Sequence, residues 1–208
     1  MIFTTHQEID KCLCDIVAAK PFSSTDTLQS FMCPYINEGM LIMKSFDTSG
    51  HIESDILLYL DDLSVATDFA SREKVSMQEI IDFFTNTNTN YMFENSQLRD
   101  GRKIIPFSKA VADRAGQCLE MAVLSQLVFQ HNKQASLICG GKTNLNTWDA
   151  HSWNVRKKEG EYFIWDAGLG FYAPLSSLEV KEHGLILTPD LSRKIGNTDI
   201  TVYQIGDA

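Results

Sequence analysis

The sequence predicts an α+β fold, with a helix packed on a mainly antiparallel sheet. Three observations carry that expectation. Helical spacing dominates the early part of the chain and returns once near residue 117. After it, the chain breaks into short alternating or apolar runs separated by turn residues, the pattern of consecutive strands. The 208 residues are 44% hydrophobic and 10% aromatic, enough for one domain with a sizeable core and too apolar for a disordered chain.

The elements follow in order. Residues 6–19 place Ile9, Leu13, Ile16 and Val17 on one helical face. Between Glu38 and Leu63 the pattern is mixed. Met40–Phe46 and Asp55–Leu60 fit either a strand pair or a helical hairpin. Ser76 followed by Glu79 forms a capping box ahead of Met77, Ile80, Ile81 and Phe84, so a helix starts there. The polar run Thr85–Asn90 reads as a surface loop. A second helix is expected over 117–130, with Met121, Leu124, Leu127 and Val128 on its apolar side. Ala135–Cys139 reads as a strand ended by Gly140 and Gly141, followed by a polar loop over 142–146. His151–Arg156 and Glu161–Asp166 alternate as a hairpin around a four-residue turn, Lys157–Gly160. Leu185–Leu187 and Ile200–Ile205 resemble later strands.

Charge and cysteine usage narrow the function classes. A net charge of -9 argues against a generic nucleic-acid binder, which needs a basic face. Residues 1–20 lack the basic start and unbroken apolar run of a secretory signal, and no stretch reaches the roughly 18 apolar residues of a membrane span. The expected location is the cytoplasm, or a destination reached by a signal-peptide-independent export route. Five cysteines, at 12, 14, 33, 118 and 139, give no CxxC pair and no disulfide framework, which points to reduced thiols. Cys12 and Cys14 with His6 make a poor zinc signature, because a second paired motif is missing. No metal and no cofactor is expected.

Cys118 has the context of a nucleophile. It begins the expected helix, whose N-terminal N–H groups and partial positive charge favour a thiolate and can receive an oxyanion. Gly116, two residues earlier, is expected to let a substrate approach where a Cβ would obstruct it. Centring the hairpin turn between Lys158 and Glu159 sets His151 directly opposite Asp166, so a carboxylate could orient an imidazole. Each residue alone has a plainer reading. A lone helical cysteine is usually a small buried apolar residue, and Asp166 could simply open the turn containing Gly168 and Gly170. The acidic pair Asp61–Asp62 reads as a solvated face.

Together these residues resemble the core of transglutaminase-like proteins of the papain-like superfamily. Gly116-Gln117-Cys118-Leu119-Glu120 is similar to the family's Gly-x-Cys-x-Asp/Glu motif at a helix start, and Ala135–Gly141 to the strand that follows it. His151-Ser152-Trp153 resembles its His-x-Trp motif, and Trp165-Asp166 its aromatic-Asp motif. The likeness covers about residues 107–172. It implies Cys118 as the nucleophile, His151 as general base and acid, Asp166 as the orienter, and Trp153 packed beside them. The family's upstream aromatic oxyanion residue has no counterpart, which leaves Gln117 and Trp148 as candidates for that role. Asp166–Gly170 also resembles arylamine N-acetyltransferases, but their Arg-Gly-Gly lead into the cysteine is absent. Compact bacterial effector deamidases and proteases with this triad order suit the chain length better. The resemblance therefore implies a protein or peptide substrate attacked through a Cys thioester, with glutamine deamidation first, and proteolysis or transamidation as alternatives. A catalytically inactive binding module on the same fold is the rival. Residues 101–208 would form the catalytic core. Residues 1–100 would form a mainly helical recognition part of the same compact unit.

Overall fold

A computed structural model describes residues 36–43, 56–88, 91, 94–99, 102–142, 150–174, 191–195 and 198–202. The expected helix over 6–19, Cys33, Trp148 and the run Leu185–Leu187 lie outside the described residues. The fold is α+β.

One sheet is mixed. β1 (Leu41–Met43), β2 (Ile56–Tyr59), β3 (Gln97–Arg99) and β4 (Arg102–Pro106) are arranged in the order β1-β2-β4-β3. β2 and β4 run parallel and the outer pairs antiparallel. Ile56, Leu57 and Leu58 are all buried, which is why β2 reads as a continuous apolar run rather than an alternating one. The ambiguous stretches near residues 40 and 56 are thus a strand pair. Where it is described, the stretch before residue 101 holds strands as well as helices, and it is not mainly helical. β2 and β4 also join one sheet across the expected boundary at residue 100.

The short helices α1 (Thr67–Ala70), α2 (Met77–Phe83) and α3 (Phe107–Ala112) connect this sheet to the rest. α2 starts at the expected capping box, with Ser76 Oγ accepting from the Glu79 N–H and the Glu79 carboxylate from the Ser76 N–H. Asp61 does not belong to a solvated face. Its carboxylate accepts the N–H of Ser108 at 2.9 Å in the first turn of α3, while Asp62 holds the Ser64 N–H.

The longest helix among the described residues is α4 (Cys118–His131). Leu119 through Gln126, Val128 and Phe129 are all buried, so it is covered nearly all round, not along one apolar stripe as the sequence suggested. It packs on α1 and α2 and on the second sheet, an antiparallel meander of β5 (Ser136–Lys142), β6 (Ala150–Lys158), β7 (Glu161–Asp166) and β8 (Phe171–Pro174). A single buried cluster runs from Ile36 and Leu58 through Phe107 and Leu119 to Ile138 and Trp165. β9 (Leu191–Ile195) and β10 (Thr198–Val202) form a separate hairpin.

Buried polar groups lock α4 to this sheet. Asn154 Nδ2 donates to Ala122 O at 3.1 Å and to Gln126 Oε1 at 3.2 Å. Ser136 Oγ donates to Gln126 Oε1 at 3.0 Å, and Trp165 Nε1 to Ser125 Oγ at 3.1 Å. Losing one partner of such a bond strands a buried polar group at a cost of about 1–3 kcal/mol. β5, β6 and β7 each contribute, so the depth and rotation of α4 are tied to three strands.

Two strand boundaries differ from the sequence reading. Gly140 and Gly141 do not end β5 but pair with Ser152 and His151, because glycine keeps the full backbone hydrogen-bonding capacity of a strand residue. The β6–β7 turn has two residues, Glu159 (φ 53) and Gly160 (φ 86), both in the left-handed region that a tight type I′ hairpin requires. Its register pairs Lys158 with Glu161 and Asn154 with Trp165. His151 is therefore not directly opposite Asp166. It lies one pair further along on the same face, because the register moved by an even number of residues.

Candidate active site

Cys118 is delivered by two chain segments held together ahead of α4. Arg114 ends α3 in the left-handed conformation (φ 47), and the Ala115 N–H returns to Ala110 O at 2.8 Å. Asn86, just after α2, forms a parallel bridge with Ala115, donating to Arg114 O and accepting from Gly116 N, each at 3.0 Å. Gln117 is extended at the N-cap, where its N–H donates to the Glu120 carboxylate at 2.9 Å. Cys118 is thus the first residue of the helix, and it is half-buried. The N–H groups of such a first turn lack acceptors within the helix.

His151 lies on β6 and Asp166 ends β7. His151 Nε2 and Asp166 Oδ2 are 2.6 Å apart, a charge-assisted distance, and Asp166 is fully buried. With Nε2 engaged, Nδ1 is the nitrogen left for the thiol, and the Cys118 side chain is hydrogen-bonded to the imidazole. Burial alone would lower the His151 pKa. The bonds to Asp166 and Cys118 outweigh it and push the pKa up to about 10. Trp153 is buried and stacks on His151 with ring centroids 5.9 Å apart and 24° between planes. Asp166 Oδ1 accepts the Leu169 N–H at 3.1 Å, so the same carboxylate also holds the turn that follows β7. Among the described residues no group of three or more His, Cys, Asp or Glu side chains could hold a metal ion.

No family model matches the sequence, and no curated protein does. Similar solved structures include a chain described as a "Putative Cysteine Protease" from Cytophaga hutchinsonii, with 16% identity and a TM-score of 0.32. The match covers 53% of this chain and 39% of that one, so it spans about two fifths of that protein's length. The likeness is slight, and the chemistry of the site rests on its own side chains. No helix among the described residues is long and apolar enough to cross a membrane.

Of the residues singled out by sequence, Cys118, His151, Asp166 and Trp153 come together, while Trp148 lies outside the described residues. Gly116 has a different role from the expected one. It is buried, and a Cβ there would lie 2.5–2.8 Å from the ring of Phe84. The missing side chain makes room for Phe84, not for a substrate, and its N–H is already bonded to Asn86. Gln117 stays beside the thiol, but its Nε2 donates to Thr87 O at 3.2 Å and its backbone N–H serves Glu120. It therefore ties the 85–88 loop to the helix start. The sequence reads Gly168 only as a turn residue, yet its absent Cβ would lie 2.9 Å from Cys118 Cβ and 3.1 Å from His151 Cε1. The only available signal was its place two residues after Asp166.

Gly116→Ala is expected to destabilise the fold by about 1–3 kcal/mol, the usual cost of overpacking a filled interior. Urea unfolding followed by tryptophan fluorescence measures this. A change within about 0.5 kcal/mol, the range of an ordinary surface substitution, would show that the Phe84 contact does not constrain the cysteine loop.

Proposed function

We propose that this chain is a thiol-dependent acyl-transfer enzyme on a papain-like, transglutaminase-like core, with Cys118, His151 and Asp166 as its triad and glutamine deamidation as its reaction. The observation that carries the reading is the buried Asp166–His151 pair ending on a cysteine at a helix N-terminus. Those three side chains supply a nucleophile, a proton carrier and an orienter in hydrogen-bonded sequence.

The steps follow from that arrangement. Cys118 thiolate attacks the carboxamide carbon, and first-turn N–H groups of α4 receive the oxyanion. The imidazolium of His151 gives its proton to the leaving nitrogen, and ammonia departs from a thioester. His151 then takes a proton from water as that water attacks the thioester carbon. The product carboxylate leaves and the thiol is restored, so the net change is amide plus water to acid plus ammonia. Asp166 keeps the imidazole oriented and stabilises its charged form throughout. The segment before residue 101 contributes to recognition in this reading, through the 85–88 loop that Gln117 ties to the thiol. Cleavage of a peptide bond or transfer to an amine would use the same thioester, since only the leaving group or the acceptor differs.

The test is intact-mass and peptide mapping of candidate protein substrates incubated with wild type and with Cys118→Ala. A gain of about 1 Da at one glutamine, absent with the variant, is the expected result. New chain termini would make the reaction proteolysis, and cross-linked or amine-labelled glutamine would make it transamidation. No change in any substrate, together with an unreactive Cys118, would favour a binding module.

A further inference from the structure

Gly168 sits where the turn after β7 meets both halves of the nucleophile pair, and a side chain there would be crowded by both. A Cβ on it would stand 2.9 Å from Cys118 Cβ, 3.1 Å from Cys118 Cα and 3.1 Å from His151 Cε1. Real Cβ atoms essentially never come within 3.0 Å of another heavy atom, and contacts of 3.1 Å are tighter than nine in ten, so the neighbours would have to shift. Two of the three belong to the start of a helix that has little room to move. Backbone conformation does not explain the glycine, because Gly39, Gly160 and Gly170 are the glycines with positive φ and Gly168 is not among them. Neither does core packing, since Gly168 is exposed. Glycine at this position is explained by the clearance it leaves between the thiol and the imidazole.

The turn itself is anchored. Asp166 Oδ1 accepts the Leu169 N–H at 3.1 Å, while Oδ2 holds His151 Nε2 at 2.6 Å. One buried carboxylate therefore fixes both the imidazole and the turn that carries Gly168. His151 lies between the Asp166 oxygen and the Trp153 ring, with Gly168 near enough that a Cβ there would stand 3.1 Å from its Cε1, and Nδ1 is left for the thiol.

We infer that Gly168 is a positioning residue, whose missing side chain lets the Asp166–Gly170 turn hold the His151 ring within hydrogen-bonding reach of Cys118. This rests on the reading of Cys118 as the nucleophile. A β-carbon at 168 wedges the ring and the helix start apart and so breaks the thiolate–imidazolium contact without disturbing the core.

The experiment measures alkylation of Cys118 by iodoacetamide at pH 6.5, followed by peptide mapping, in wild type, Gly168→Ala and Gly170→Ala, with the urea-denatured chain as reference. Gly170→Ala strains the same turn through its φ of 65° but meets only Ile81 Cδ1, at 3.9 Å, so it disturbs the turn without touching the pair. Wild type should alkylate far faster than the denatured chain, in which an ordinary thiol is about 1% ionised at this pH. Gly168→Ala should slow the reaction about tenfold or more, with a thermal midpoint lowered by no more than the lost ion pairing accounts for. Gly170→Ala should lower the midpoint and keep the fast thiol.

Gly168→Ala as fast as wild type overturns the inference and leaves the proposed function standing, as does equal slowing by both variants. A wild-type thiol no faster than the denatured chain overturns both readings. Should Gly168→Ala fail to fold, the wild type supplies the second measurement. A nuclear Overhauser contact between the His151 Cε1 proton and the Gly168 α-protons is required, and its absence overturns the inference.

Discussion

Replacing Cys118 or His151 by alanine is expected to remove nearly all turnover, and replacing both should cost little more than either one. Residues that act as a unit are strongly non-additive, with losses on the order of 10⁴–10⁶ in kcat for the nucleophile or its base. The hydrogen bond between the two side chains is the reason to expect that here. Thiol reactivity carries the same prediction without a substrate. With the His151 pKa raised from 6.5 to about 10, the imidazole stays protonated across the neutral range and favours a thiolate beside it. Wild-type Cys118 should therefore alkylate at a nearly constant rate between about pH 6.5 and pH 9. In His151→Ala the rate should climb toward the ordinary thiol pKa of about 8.5. The sign for stability follows from the same shift. A group whose pKa is raised on folding stabilises fully below its unfolded value and loses that contribution as pH rises through its folded value. The stability difference between wild type and His151→Ala should thus be largest below about pH 6.5 and shrink toward pH 10. Superimposable alkylation profiles for wild type and His151→Ala would sink the ion-pair reading.

Much of this was legible in the sequence because the informative signals were local. The capping box at Ser76 and Glu79 names its helix start outright, since both halves of the motif lie within four residues. The helix at 118–131 and the alternation of β6 and β7 were readable from periodicity. Hairpin register was not. Lys157–Gly160 offers two possible turn centres, and only the left-handed conformations of Glu159 and Gly160 choose between them. The error was harmless to the site because an even displacement keeps His151 and Asp166 on one face. A one-residue slip would have put the imidazole on the wrong side. The surroundings of Gly116 and Gly168 were not legible for a different reason. Whether a glycine clears space for a ring or for a thiol depends on contacts from far along the chain, Phe84 in one case and Cys118 with His151 in the other. The burial of α4 on nearly all sides had the same origin, because α1 and α2, which pack on it, come from far earlier in the chain.

Asp166→Asn is expected to lower kcat on the order of 10⁴-fold, the scale seen when the orienting carboxylate of a Ser-His-Asp triad loses its charge. The reason is geometric as well as electrostatic. The carboxylate accepts two hydrogen bonds at once, from His151 Nε2 on one oxygen and from the Leu169 N–H on the other. A carboxamide has only one oxygen to offer. If that oxygen keeps the imidazole, the NH₂ group faces the Leu169 N–H and the turn carrying Gly168 is pushed off. If it keeps Leu169, the NH₂ faces Nε2 and selects the neutral tautomer with its proton on Nδ1, toward the thiol. Either way the raised pKa of His151 falls, because the burial that lowers it remains while the carboxylate that opposed it is gone. Asp166→Ala should match the loss in kcat and add about 1–3 kcal/mol of instability from polar groups left without their acceptor. The measurements are kcat against pH and the titration of the His151 ring protons by NMR. An Asp166→Asn enzyme within about threefold of wild type, with His151 still charged at pH 8, would remove Asp166 from the mechanism and leave it as the anchor of a turn.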